Sequence, residues 1–500
     1  MKSWNRVSLI IIIFSLVFIF MARMAHTKDL EADVVVIGAG SSGLVAGLTA
    51  RYGGATVIIF EKMPFPGGTS QFAEGMFAVE SSLQIQKNIG LTRDEAFKRH
   101  MENTHWRANA KLVRAFIDKS ASTIDWLQQQ GVEFIEPAAL FPDGPRTWHL
   151  MKGGGVALVN SLFEKAKEKG VQIYLETPVK KLEMDKKNRI FSITAEDKKG
   201  NVLRANAKAV IISAGGFTSN KEMVQKYIDG GNFAIPVVDL AQTGGPIQMA
   251  WAIGAVPEGT SVVMSIPAVP GENPDSQLWA AGAQPYLWIN QRGERFCDES
   301  IIFRFPYAGN ALAKQKGGIM YSIFDEGTKK YMIEKGIQYG LGEFVPVTTK
   351  LGHLDAEIQR GVKEGKAFVA DSLEELATKI NVSSKILKAT VDENNKICEI
   401  HHDDLFAKDP RYLRPVKKEK FYAVKSTFHI FTTLGGIKIN HKTEVLDKDH
   451  EVISGIYASG NCAGGLYGET YEVLTTGGSL GFAVNSGRIA GENALKYIGK

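Results

Sequence analysis

The sequence predicts an α/β protein in which a parallel sheet, assembled from both ends of the chain, is interrupted by a long α+β insertion. Three stretches carry that expectation. "ADVVVIGAGSSGLVAGLTARYGGATVIIFEK" (32–62) reads as strand, glycine turn, helix and strand. "VIISAGG" (210–216) reads as a buried strand running into a glycine turn. "GIYASGNCAGG" (455–465) with "TTGGSLGFAVNSGRIAGENA" (475–494) reads as a strand and a glycine-rich helix at the other end of the chain.

The first unit sets the ligand class. Val34 to Ile37 are uninterruptedly apolar, as a strand buried on both faces must be. Gly38, Gly40 and Gly43 give G-x-G-x-x-G at its end, and Leu44, Val45, Leu48 and Thr49 mark one face of the following helix. The second strand ends at Glu61, 18 residues beyond Gly43. Strand, turn, helix and acidic strand end together make a Rossmann-like dinucleotide site. Backbone around Ala39, Ser41 and Ser42 would meet a pyrophosphate at the helix N-terminus, and Glu61 would accept from a ribose hydroxyl. Lys62 and "PGGTS", with Gly67, Gly68, Thr69 and Ser70, follow almost at once. Ala214, Gly215 and Gly216 lie on a second strand end, and Gly460 and Asn461 on a third. Gly478, Ser479 and Leu480 open the last helix. An extended FAD touches several crossings of the sheet, so this scattered layout points to FAD rather than NAD.

Composition sets the outer bounds. At 500 residues, 44% hydrophobic and 23% charged, the chain can bury a large core. A net charge of +5 without a basic block argues against nucleic acid. Lys2 and Arg6 precede an uncharged run from Val7 to Ala22, shorter than the roughly 20 residues of a spanning helix. Residues 1–25 therefore read as an export signal or an uncleaved membrane anchor, placing the body outside the cytoplasm, in the periplasm or tethered to the membrane. Cys297, Cys398 and Cys462 are isolated, with no CxxC or CxxCH, so covalent haem, an iron–sulfur cluster and a metal site are not expected.

From about Ala32 onward the chain resembles the FAD-dependent fumarate reductase/succinate dehydrogenase flavoprotein family. It resembles most its soluble, exported fumarate reductase-like members and, more distantly, the 3-ketosteroid 1-dehydrogenases. Besides the glycine loops, the resemblance rests on "WHLMKGGGVALVNSL" with Gly154 and Gly155, and on "ETPVKKL" with Val179. "SAGGFTSN", "NQRGERFCDES" and "FYAVKSTFHIFTTLGGIKIN" complete it. It implies an FAD-binding domain at 32–239 and 433–500, and an α+β capping domain at 240–432 that closes over the flavin. Covalent members carry histidine where this chain has Thr69, which implies non-covalent FAD.

Departures from the family pattern bear on substrate. The anchors that grip two carboxylates fall on Ile266, Thr432 and Thr475, and the proton relay falls near Trp279 and Gly282. A C4 dicarboxylate would lose charge-assisted bonds of about 1.5–3 kcal/mol each, which excludes fumarate and succinate. Ile266, Trp279, Tyr286, Trp288, Phe303, Phe305 and Phe431 either shape a pocket for an apolar or aromatic enoate or form core. Arg304, one residue later than the family spacing, is either acid or substrate anchor, or an ion-pair partner of Asp298 or Glu299. Tyr307 is an alternative donor. Tyr471 and Glu472 lie where relatives hold substrate, and His429 precedes "IFTTLGG". "HHDD" (401–404) reads as a solvated loop.

The expected function is FAD-dependent reduction of an activated C=C by hydride transfer from flavin N5. A cytochrome or quinol-linked protein would act as external donor, because no second nucleotide motif exists for a nicotinamide. A dehydrogenase introducing a double bond, and a non-catalytic electron-transfer subunit, are the alternatives.

Overall fold

The structure, a computed structural model, describes residues 27–141, 144–185, 190–238, 241–342, 344–473 and 475–500. The signal or anchor expected at 1–25 and the boundary expected at 239–240 lie outside the described residues. No helix among the described residues is long and apolar enough to cross a membrane.

The expected α/β architecture is present. Strand β1 (Thr27–Ile37), helix α1 (Ser41–Tyr52) and strand β2 (Val57–Phe60) form the first unit, with Val34 paired in parallel to Val57 and Ile37 to Phe60. β2 pairs in parallel with β3 (Gln172–Tyr174), and β1 on its other side with β4 (Val202–Ile212). β4 in turn pairs with the far end of the chain, strand 452–458, through Ile456↔Val210. Among the described residues the sheet has eight strands; 444–446 forms one edge, and 179–185 and 190–196 extend antiparallel from β4. The apolar C-terminal ends of β1 (34–37) and β4 (209–212) and the whole of β2 are buried on both faces, which a parallel sheet covered by helices requires.

Helix α1 departs from the one-faced helix expected, because Ser41 to Leu48 and Ala50 are all buried. The reason is a second helix, Gly478–Tyr497, laid directly against it. A Cβ on Gly487 would stand 2.4 Å from the Ser42 carbonyl oxygen, and one on Gly491 would stand 2.7 Å from that of Ala46. The C-terminal glycines are thus a helix–helix contact surface that locks the two ends of the chain together.

The insertion builds a second, mostly antiparallel sheet of six strands from residues between Ile235 and Thr433. Its spine is the strand Phe421–Thr433, which pairs with 235–236, 263–268, 319–325 and 367–370. The spine ends at the first sheet, where Thr433 Oγ1 accepts from the Phe217 N–H at 2.9 Å. Helix 305–313 packs on strand 263–268 so closely that a Cβ at Gly309 would meet Ser265 Oγ at 2.2 Å. A third, three-stranded sheet (75–77, 148–151, 134–138) flanks the first.

Candidate active site

The crevice lies at the C-terminal ends of β1, β2 and β4, where ligands of open α/β sheets bind. Gly38 adopts φ +107°, and a Cβ at Gly43 would stand 1.9 Å from the Gly38 carbonyl oxygen, so only glycine permits this turn. Helix α1 begins after Gly40, which provides no side-chain cap, and the Ser41 N–H donates to Ser70 Oγ at 3.4 Å. A Cβ at Gly40 would meet only the Gly67 carbonyl oxygen, at 3.7 Å, so the loop wall is open there. Ser41 Oγ lies 2.7 Å from Ser70 Oγ and ties the second glycine loop to this turn.

Glu61 is buried, and each of its carboxylate oxygens accepts a backbone N–H: Ala39 to Oε2 at 2.7 Å and Met63 to Oε1 at 2.8 Å. The carboxylate is thereby aimed, with lone pairs remaining for hydroxyl donors. Lys62 donates to the Ala241 carbonyl across the crevice. Further along, Asn461 Nδ2 donates to Thr432 Oγ1 at 3.1 Å, and Ser479 Oγ donates to Asn461 Oδ1 at 3.4 Å. An uncapped helix N-terminus suits a pyrophosphate, an aimed carboxylate suits a ribose, and an amide-lined end suits the polar edge of a ring. The donor set fits FAD.

Gly38, Gly40, Ser41, Ser42, Glu61 and Lys62 line the crevice, as do Gly67, Gly68, Thr69 and Ser70. Val179, Ala214, Gly215, Gly460 and Asn461 line it too. The other cofactor candidates stand in its walls. Ala39 orients Glu61. Gly155 lets its helix approach the 68–72 turn, where a Cβ would stand 1.8 Å from the Ser70 carbonyl oxygen, and Gly154 precedes it in that helix. Gly216 permits contact with Thr433, and Gly478, Ser479 and Leu480 start the last helix. Sequence reasoning missed Gln242, which lines the crevice and accepts from Thr218 Oγ1 and Thr432 Oγ1, both at 3.3 Å. The signal was "TGGP" just after it, where Gly244 is left-handed and Pro246 sits in the first turn of helix 245–252.

Arg304 stands between the 3-10 turn 299–304 and helix 305–313. The ion-pair alternative for it does not hold. Glu299 is fully buried and taken by Arg295 (3.0 Å to both oxygens) and Lys408 (3.1 Å), while Asp298 accepts from the Ser300 N–H and hydroxyl. The Arg304 guanidinium instead lies 5.9 Å from the centre of the Tyr307 ring. Burial pushes the Tyr307 hydroxyl above the ordinary tyrosine range, Arg304 pulls it back and Glu472 pushes it up. Three candidates are therefore brought together: Arg304, Tyr307 and Glu472. Tyr471 joins them, fully buried, its hydroxyl accepting from the Ser479 N–H at the start of the last helix. His429 is held within the second sheet opposite Ile266, its Nδ1 donating to the Thr427 carbonyl at 3.0 Å, and burial lowers its pKa.

The aromatic set divides. Trp279, Tyr286 and Trp288 are at most 2% exposed and form core. Phe303 packs on Tyr339 and Tyr412, whereas Phe305 meets Phe431 edge-on at 6.3 Å. The hydroxyls of Thr432 and Thr475 are engaged locally, Thr432 with Gln242 and Asn461, and Thr475 with Glu472 at 2.5 Å. The three cysteines are free thiols, and burial raises Cys462 to about 11. No group of three or more potential metal ligands occurs among the described residues.

A family model described as "FAD binding domain" matches residues 33–477. The chain is 36% identical over 488 residues to a vinyl phenol reductase of Lactiplantibacillus plantarum, covering 95% of this chain and 98% of that protein. It is 26% identical to a fumarate reductase (cytochrome) of Shewanella frigidimarina, covering 96% and 80%. Among solved structures, a 3-ketosteroid Δ1-dehydrogenase from Sterolibacterium denitrificans superposes with a TM-score of 0.76 at 20% identity, covering 93% and 99%, which is a likeness of fold.

Proposed function

The chain belongs to the FAD-binding-domain family, among the fumarate reductase-like flavoproteins, and from that premise we propose that it reduces a C=C bond conjugated to an aromatic ring. It is an FAD-dependent oxidoreductase acting on carbon–carbon bonds. The substrate class, a vinyl phenol or an apolar aryl enoate, is supported by one observation above the rest. Ile266, Thr432 and Thr475 leave no cationic grip for two carboxylates at the family's anchor positions, while Phe305 and Phe431 offer apolar surface. The 36% identical vinyl phenol reductase points the same way.

Bound FAD, once reduced, supplies a hydride to one alkene carbon. The chain's own residues must then protonate the other carbon and exclude water. An ordinary tyrosine gives up its proton near pKa 10 and a guanidinium near 12.5–13.8, so the tyrosine proton is easier to release by about 3–5 kcal/mol. Tyr307 is therefore assigned as the acid and Arg304 as the cation that stabilises the phenolate left behind. Residues 240–432 act as the cap, residues 1–25 direct export, and electrons come from an external donor such as a cytochrome or a quinol-linked protein. The cytochrome-type relative supports that donor class.

The test is to reduce the flavin anaerobically and follow its absorbance on adding fumarate, cinnamate or 4-vinylphenol. Rapid reoxidation by an aryl alkene, and none by fumarate, is expected. Reoxidation by fumarate would overturn the reading of Ile266, Thr432 and Thr475.

A further inference from the structure

His100 was singled out by no motif, yet it is fully buried beside Glu472. It lies on the inner face of helix 93–103, with Ala96 and Met101. Its Nε2 is 2.8 Å from the Leu466 carbonyl oxygen, which can only accept, so Nε2 carries a proton. Its Nδ1 is 3.3 Å from Thr475 Oγ1 and 3.5 Å from Glu472 Oε2. Thr475 Oγ1 is in turn 2.5 Å from Glu472 Oε2.

Two contacts, Nδ1 to Oγ1 and Oγ1 to Oε2, each require a proton, and the threonine hydroxyl has one. If Thr475 donates to a Glu472 carboxylate, Nδ1 must be protonated and His100 is an imidazolium. If Thr475 donates to Nδ1, Glu472 must be a carboxylic acid. The other neutral tautomer would set the Nε2 lone pair against a carbonyl oxygen. Either way the trio holds one proton more than a neutral imidazole and a carboxylate would, in a site where an unpaired lone pair is costly. Tyr467 and Tyr471 on its own loop face it, and helix 305–313, which carries Tyr307 with Arg304 over its ring, is tied to that loop by Asn310 Nδ2 donating to Thr470 Oγ1 at 2.7 Å.

We propose that His100, Thr475 and Glu472 hold one stored proton that recharges Tyr307 after each turnover, with His100 as a positioning residue for Glu472. The inference rests on the alkene-reductase reading. In balance, the alkene gains a hydride from the reduced cofactor and the proton of Tyr307, forming two C–H bonds. The stored proton then moves to the Tyr307 phenolate, leaving Glu472 ionised beside a neutral His100, and a solvent proton restores the trio.

The test uses the FAD-loaded protein, with Glu472→Gln and His100→Gln variants, and has two arms. Without substrate at neutral pH, infrared spectra should show a buried carboxylic acid lost in Glu472→Gln, or nitrogen-15 NMR an imidazolium lost in His100→Gln. An ionised Glu472 beside a neutral His100 overturns the proposal whether or not any alkene is reduced. With an aryl alkene, Glu472→Gln should retain FAD and flavin photoreduction but lose about 10²-fold or more in repeated turnover, with a larger solvent deuterium isotope effect. Wild-type turnover in Glu472→Gln overturns the relay role. Failure of the wild type itself to reduce any aryl alkene overturns the relay too, and identifies the functional reading as the part at fault when the first arm has found the proton.

Discussion

Ser42 Oγ donates to Ser459 Oγ at 2.8 Å, joining two residues 417 positions apart. Ser459 Oγ also lies 2.8 Å from Ser213 Oγ. The three serines follow the strand ends at 37, 212 and 458, so one hydroxyl chain fastens the floor of the cofactor crevice. Ser459→Ala leaves buried hydroxyls short of a partner, at about 1–3 kcal/mol. Urea unfolding should show that loss, and FAD should bind more weakly. An unchanged midpoint with and without FAD would mean the chain of hydroxyls fastens nothing.

Glu61 aims its carboxylate through two backbone N–H groups. Glu61→Gln keeps the size but removes the charge, and an amide nitrogen would face one of those N–H donors. With charged hydrogen bonds contributing about 1.5–3 kcal/mol, FAD affinity should fall roughly 10- to 150-fold. Titration calorimetry on the apoprotein measures it. Wild-type affinity would remove Glu61 from cofactor recognition.

Gly155 does not line the crevice, yet it should control it. A Cβ there would stand 1.8 Å from the backbone oxygen of Ser70, which cannot yield as a flexible side chain would. Gly155→Ala must push the 68–72 turn toward the ligand or its own helix outward, an overpacking cost of about 1–3 kcal/mol. Purified variant should carry less FAD, while Gly54→Ala, where nothing lies within 4 Å but φ is +83°, should cost stability without that loss.

The contrast between Glu61 and Gln242 shows what could be read from the chain alone. Glu61 stands at the end of an apolar run a helix-length beyond a glycine turn, so local spacing revealed it. Gln242 is placed by a loop that meets Thr218 and Thr432, 190 residues further on, and no local pattern encodes that meeting. Arg304 shows the same limit. Asp298 and Glu299 are its near neighbours in sequence, but Lys408 arrives from 109 residues beyond Glu299 and joins Arg295 to engage that carboxylate. His100 could have been found, because it falls four residues after Ala96 on the buried stripe of a helix opened by the Thr92–Glu95 capping box.

His149 supplies a pH dependence away from the chemistry. Its Nδ1 donates to the Thr147 carbonyl at 3.0 Å, and its Nε2 accepts from Ser81 Oγ at 2.7 Å, so the neutral ring is fully partnered. Burial lowers its pKa from 6.5 to about 4. The unfolded chain therefore binds this proton more readily than the folded one. Its stabilising contribution is fully present above pH 6.5 and is lost as pH falls toward 4, by about 3 kcal/mol in all. Denaturant midpoints from pH 7.5 to 4.5 should fall more steeply for the wild type than for His149→Gln. Parallel slopes would show that His149 does not set this limb.

Arg304 and Tyr307 make the sharpest kinetic distinction. If Tyr307 is the acid, Tyr307→Phe should slow alkene-dependent flavin reoxidation by about 10²–10⁴-fold with FAD content unchanged. Arg304→Ala should also slow it, because the phenolate loses its cation. The pH profile separates the two roles. Tyr307 must be protonated to donate, so the rate should hold through neutral pH and fall only on an alkaline limb above the ordinary tyrosine range, since burial already raises its pKa. Arg304 acts on that hydroxyl in the opposite sense, pulling its pKa down. Removing the guanidinium must therefore move the alkaline limb to still higher pH while lowering the plateau. Were Arg304 itself the acid, Arg304→Ala would abolish proton delivery, and Tyr307→Phe would leave the profile of the wild type intact. Stopped-flow reoxidation of the two variants between pH 6 and 11 decides between these patterns. A limb that moves down in Arg304→Ala would exclude phenolate stabilisation as its role.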